Sequence, residues 1–306
     1  MSWLDTNDPA CSERDVAAEL EVEIQARPRK IGALSVGRVL PAPARRMVGP
    51  VCFLDHMGHE APATQRVDIA PHPHIGLSTV TYLFDGAMEH RDSLGSHQVI
   101  VPGDINWMTA GRGVVHSERS PREGTVALRG VQLWVALPKS REDDAPAFEH
   151  SPGAQLPRFE ENGAAVRLLI GEYRGLRSPV KASSPMLYAD AQLSAGAKFR
   201  LAKEHVERAA YVVEGQIHAA GRTFGVGTLA VFARGTEPLL SADAPARVLL
   251  LGGEPLDGPR HIWWNFVSSS QEKIVDAAHA WAAQEFPVVP GDEHERVPAP
   301  GEPKFR

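Results

Sequence analysis

The chain has 306 residues, room for one large domain or two ordinary ones, and its 43% hydrophobic and 23% charged residues are the balance of a soluble globular protein with a full core. Its net charge is −6 and its basic residues never cluster beyond pairs such as Arg45-Arg46. Nucleic acid is thereby excluded as a main partner, because phosphate binding needs a concentrated basic surface.

In chain order, "MSWLDTNDPACSERDVAAEL" is acidic and has no apolar core, so it does not read as a secretory signal. No run reaches the roughly 18 apolar residues of a membrane helix, and the expectation is a cytoplasmic protein with no membrane partner. Cys11 and Cys52 have neither metal-ligand nor redox spacing, which fits a reducing compartment. Short strand-like runs follow, punctuated by glycine and proline: "EVEIQARP", "SVGRVL", "VGPVCFL", "STVTYLF", "HQVIV", "INWMTA" and "LRGVQLWVAL". Ahead of "STVTYLF", His72 and His74 flank Pro73. Proline cannot donate to a sheet ladder, so this stretch is expected to open a strand, with both imidazoles on one face. "DSLGS" at 92–96 is a hairpin turn, and the alternation of "MEHRDS" before it favours a solvated face over a catalytic one.

A polar, proline-bearing passage at 138–163 gives way to a second set of strand-like runs, including "AVRLLIGEY", "AAYVVEGQIHAA" and "ARVLLLGG". "SSSQEKIVDAAHAWAAQEF" then reads as a helix. Ser269 and Glu272 have capping-box spacing, and Ile274, Ala278 and Trp281 share a face. The remaining tail is rich in proline and charge, either disordered or laid extended over the surface. "YLFDG" at 82–86 echoes "YVVEG" at 211–215, and "PGDINWMTAGRG" echoes "VGTLAVFARG". That repeat predicts an all-β protein of two homologous barrels in tandem. The expected divisions are 1–140, 141–268, and 269–306 for the helix and tail. Aligned through the repeat, Leu201 and Lys203 stand where the first copy has His72 and His74, so the barrel itself does not require the pair.

The chemistry gathers in the first copy. "GRGVVHSERS" places His116 and Glu118 at the same i, i+2 spacing as His72 and His74. Two neighbouring strands would then bring three imidazoles and one carboxylate to one centre. Such a donor set suits one divalent Fe, Mn, Ni, Cu or Zn ion. Phe53, Leu83, Trp107 and Met108 are the expected apolar wall, and His56 and His59 a weaker lining pair near the mouth.

"HPHIGLSTVTYLFDGAMEHRDSLG", "PGDINWMTAGRGVVHSE" and "GEPL" resemble the pirin family of bicupins, over nearly the whole chain. The resemblance implies two tandem cupin (jelly-roll) barrels and a mononuclear metal, Fe(II) first, held by His72, His74, His116 and Glu118 in the first barrel only. Common metal cupins carry a ligand glutamate four residues after the second histidine. Ser78 stands there here, which leaves Glu118 to supply the carboxylate. Pirins that resemble quercetinases open a flavonol with dioxygen and release carbon monoxide. The expected activity is therefore a quercetin 2,3-dioxygenase-like cleavage of a flavonol or related enol, with Glu118 as base. The alternative is an iron-binding regulator acting through a protein partner. A metal-free small-molecule cupin would require the four residues to miss one another.

Overall fold

The protein is described by a computed structural model over residues 19–31, 34–59, 66–123 and 127–305; Cys11 lies outside them. The first half supplies β1 (Leu20–Gln25), β2 (Arg27–Ile31), β3 (Leu34–Leu40), β4 (Val51–Met57), β5 (Asp68–His74) and β6 (Leu77–Asp85). It continues with β7 (Met88–Asp92), β8 (His97–Ile100), β9 (Ile105–Thr109), β10 (Val114–Arg119), β11 (Arg129–Ala136) and β12 (Ala147–Ser151). A seven-stranded sheet, β12-β9-β6-β11-β4-β3-β2, and a four-stranded one, β5-β10-β7-β8, make the first barrel.

The second half repeats the plan with β13 (Arg158–Glu161), β14 (Ala164–Tyr173), β15 (Leu176–Arg177), β16 (Met186–Leu193), β17 (Ala197–Arg200) and β18 (Glu207–Glu214). Then come β19 (Gln216–Ala219), β20 (Arg222–Gly225), β21 (Thr228–Phe232), β22 (Leu239–Ala242) and β23 (Ala246–Gly253). Its large sheet runs β1-β21-β18-β23-β16-β14-β13 with β15 on β14, and its small sheet β17-β22-β19-β20. The fold is thus two tandem cupin barrels.

The barrels join through their large sheets. β6 is buried on both faces, which is why it reads as a nearly unbroken β-branched and aromatic run. Val80 and Tyr82 point into a core shared with Tyr188, Tyr211, Leu229 and Leu249 of the second barrel. The Tyr82 hydroxyl donates to Asp190 at 2.6 Å across that seam. Burying a phenol without a partner would cost about 1–3 kcal/mol, so this bond also fixes how the sheets meet.

The division expected at residue 140 is crossed twice. β1 completes the large sheet of the second barrel by pairing with β21, and β12 closes that of the first by pairing with β9. Each covers an edge whose backbone groups would otherwise lack partners.

After a short hairpin of β24 (His261–Trp263) and β25 (Phe266–Ser268), α1 (Gln271–Ala282) packs on the outside of the first barrel. Its N-cap is Ser270, which accepts from the Lys273 amide, one residue later than the expected Ser269. Ser269 is diverted: its amide and hydroxyl donate to the buried Glu142 carboxylate, itself 3.1 Å from the buried Arg260 guanidinium. Ile274, Ala278 and Trp281 are buried against Ile75, Val115 and Phe266. The tail lies extended over the small sheet. The Val297 amide donates to the Pro71 carbonyl at 2.9 Å, and Arg119 grips Asp292 and Glu295 at 2.8 Å. Among the described residues no helix is long and apolar enough to cross a membrane.

Candidate metal centre

β5 lies at the edge of the small sheet, where Pro71 and Pro73 cost no ladder bonds, and the Val297 amide covers its outer side. It runs antiparallel to β10, with His116 opposite His72, Val114 opposite His74, and a bulge between His116 and Glu118. Gly76 follows at φ +67, where a Cβ would run into the Val267 carbonyl. Only glycine lets the 261–268 hairpin close on the ligand strand.

The result is one compact group. His72, His74 and His116 each offer a nitrogen within 4.8 Å of the others', and all three are buried. The Nε2 atoms of His74 and His116 are 3.1 Å apart. A carbonyl can only accept, so Nδ1 of His72 donates to Ala70 at 3.0 Å and Nδ1 of His74 donates to Asn265 at 2.9 Å. Both rings are thereby fixed in the tautomer that leaves Nε2 its lone pair. Lone pairs converging in a dry site are unfavourable without a cation between them. The residues fit one divalent ion.

Burial drives the imidazoles to their neutral, ligating form. His72 is lowered to about 4, with the Ala70 hydrogen bond opposing and His90 assisting. His74 and His116 fall well below 6.5, through burial first and their neighbouring histidines second. At pH 7 the site has no imidazole protons to shed before it can bind metal.

Glu118 is also buried, but its carboxylate stands outside the 4.8 Å group. Its Oε1 accepts from Gln132 Nε2 at 3.3 Å, and Gln132 Oε1 accepts from Thr81 at 2.8 Å. Burial pushes the carboxyl up to about 7, with Gln132 pulling the other way. A cation nearby would pull it further down.

The expected wall divides among separate clusters. Phe53 stacks on Trp134 with centroids 4.0 Å apart, and Trp134 meets His74 edge-on at 5.2 Å. Met108 packs with Ala110, Val114 and Phe148, and Phe148 stacks on His90 at 4.4 Å. Trp107 instead turns to the seam between barrels, and Leu83 joins Met57, Met88 and Ile100. His56 also faces the seam, its Nδ1 2.9 Å from the Tyr211 hydroxyl, not the mouth. In the second barrel Leu201 is buried among Phe199, Phe224 and Leu240, and Lys203 is exposed.

"MEHRDS" is not the solvated face expected of it. The alternation in β7 exists, yet it turns Met88, His90 and Asp92 inward and only Glu89 and Arg91 outward. His90 lies beside His116, and Asp92 is fully buried. An alternating charged strand does not say which of its faces meets water. The neighbouring strand decides that, and here it is β10, the ligand strand.

Acid should destabilise the metal-free protein. His72, lowered to about 4, and His56, lowered to about 3 chiefly by burial, bind protons more readily unfolded, where their value is 6.5. Stability is therefore full above pH 6.5 and declines as pH falls toward 4, by roughly 3 kcal/mol for His72 alone. Glu118 works against this between 4.5 and about 7, being easier to bury once protonated. One carboxyl does not offset four buried imidazoles. Urea unfolding of chelator-treated protein should give a lower midpoint at pH 5 than at pH 7.5; an equal or higher one would contradict the neutral, buried assignment.

Comparison with known proteins places this geometry in context. Residues 33–135 match the family profile described as Pirin, and residues 188–287 match the Pirin C-terminal cupin domain. A pirin-like protein of Caulobacter vibrioides is 46% identical, over 92% of this chain and 99% of its own length. A Pseudomonas aeruginosa protein provisionally assigned as a quercetin 2,3-dioxygenase is 42% identical, over 89% of this chain and 86% of its own. The crystal structure of quercetin 2,3-dioxygenase from Acinetobacter baumannii superposes with a TM-score of 0.85 at 36% identity, covering 93% and 97% of the two chains.

Proposed function

The chain belongs to the pirin family, and from that premise we propose that it is a metal-dependent dioxygenase of the quercetin 2,3-dioxygenase type. The observation that carries this reading is the trio of neutral imidazoles on the inner face of the first barrel, in a chain 36% identical to a solved quercetin 2,3-dioxygenase. His72, His74 and His116 would hold the ion, Fe(II) first, with Glu118 beside it. A bound ion supplies Lewis acidity toward an enol oxygen next to a carbonyl, and an electron path to dioxygen.

The rest is the work of the chain. Glu118 Oε takes the enol proton, held in place by the Gln132 amide and its Thr81 partner. Phe53 with Trp134, and Met108 with Phe148, give two apolar flanks that keep water from the reacting carbons. The overall reaction adds O2 across the flavonol ring, opens it to an ester and expels carbon monoxide.

Iron-loaded protein incubated with quercetin in air should deplete the flavonol absorbance and consume dioxygen in equal amounts. Metal-replete protein that leaves quercetin and a panel of related enols untouched would remove the enzyme reading and leave the regulator.

A further inference from the structure

The first barrel holds an imidazole–carboxylate pair beyond the three gathered histidines. On β7, His90 Nε2 lies 3.1 Å from Asp92 Oδ2, and its Nδ1 lies 3.4 Å from His116 Nδ1. Asp92 is immobilised from the other side, since its Oδ1 accepts from the amides of Leu94 at 2.9 Å and Ser96 at 3.0 Å. The His90 ring is held flat against Phe148, 12° from parallel.

Proton placement follows along the chain of contacts. Asp92 as a carboxylate can only accept, so His90 carries its proton on Nε2 and has a lone pair on Nδ1. That lone pair accepts from His116 Nδ1–H, which leaves His116 Nε2 free on the side facing His74. His72 and His74 are held by neutral carbonyls of Ala70 and Asn265. His116 alone is held by an imidazole backed by a buried anion.

We propose that His90 and Asp92 are positioning residues that fix the tautomer of His116 and make it the strongest donor of the three. The inference rests on the metal centre proposed above. A group that accepts the other ring N–H of a ligating histidine changes metal affinity by about 10–100-fold and makes the ligand more basic. Asp92→Asn would keep an oxygen for the turn amides and present an amide N–H to His90. His90 would then carry its proton on Nδ1, facing His116, and His116 would be driven to put its own on Nε2, the wrong nitrogen.

The test uses the full chain, titrated with nickel(II) by calorimetry and with cobalt(II) by visible absorption. Asp92→Asn and His90→Phe should each weaken nickel binding about 10–100-fold and shift the cobalt ligand-field bands. His90→Gln, which retains an acceptor, should recover part of both. Unchanged affinity and unchanged bands in folded His90→Phe would overturn the proposal, as would His90→Gln no better than His90→Phe. The His90 pair leaves the Asp92 turn untouched, so it decides the matter even if Asp92→Asn fails to fold. Wild-type protein that binds neither ion would remove the metal centre itself, a separate failure visible before any variant is made.

Discussion

His116→Ala is expected to empty the metal site and leave the barrel folded. Three imidazoles meet within 4.8 Å, and His116 is central to them, 3.1 Å from His74 and cross-strand from His72. A closed set of four protein donors is worth about 10–16 kcal/mol, so one donor accounts for roughly 2.5–4 kcal/mol, on the order of 10²–10³-fold in Kd. Purified variant should therefore carry almost no metal where wild type carries one ion. The fold should survive because the ring is uncharged and its side chain makes no hydrogen bond to the backbone: its neighbours are the rings of His72, His74 and His90. The second barrel, whose interior is filled by Leu201, Phe199 and Leu240, shows that this architecture closes around apolar packing. Metal quantification with circular dichroism and a thermal melt checks both halves. Stoichiometric metal in a folded His116→Ala protein would place the centre elsewhere.

The histidines were legible because strand geometry is short-range. Residues at i and i+2 share a face whatever the fold, so "HPH" and "HSE" each fixed a direction, and the repeat with Leu201 and Lys203 marked the pair as an addition to the barrel. The bulge after His116 was not legible, and it alters where Glu118 points relative to an ideal strand. His90 shared the i+2 signal with Asp92 but was masked by Glu89 and Arg91, which pair with each other at 2.6 Å outside. Trp134, which meets His74 edge-on, comes from a distant strand, and the Asn265 carbonyl arrives from beyond the second barrel. Contacts of that span depend on which strands become neighbours. The exchange of β1 and β12 between the large sheets belongs to the same class, since an edge strand carries no mark of its partner.

Glu118→Gln should separate binding from chemistry. The carboxylate stands outside the circle of imidazole nitrogens, so an isosteric amide should leave metal affinity within a few-fold of wild type while flavonol turnover falls about 10²–10⁴-fold, the usual worth of a positioned base. The hydrogen bond from Gln132 survives, because the new amide oxygen still accepts, and the change is confined to charge and basicity. The pH dependence carries the sharper sign. Burial holds the Glu118 carboxyl at about 7 in the metal-free chain, and a cation beside it favours the ionised form. A base must be deprotonated to act, so wild-type turnover should rise with pH through an apparent value below 7 and then level off. In Glu118→Gln that rising limb should vanish, leaving a low and flat residual rate across the same range. A variant that loses its metal would make Glu118 a ligand first. A variant that keeps both metal and the rising limb would show that Glu118 is not the base.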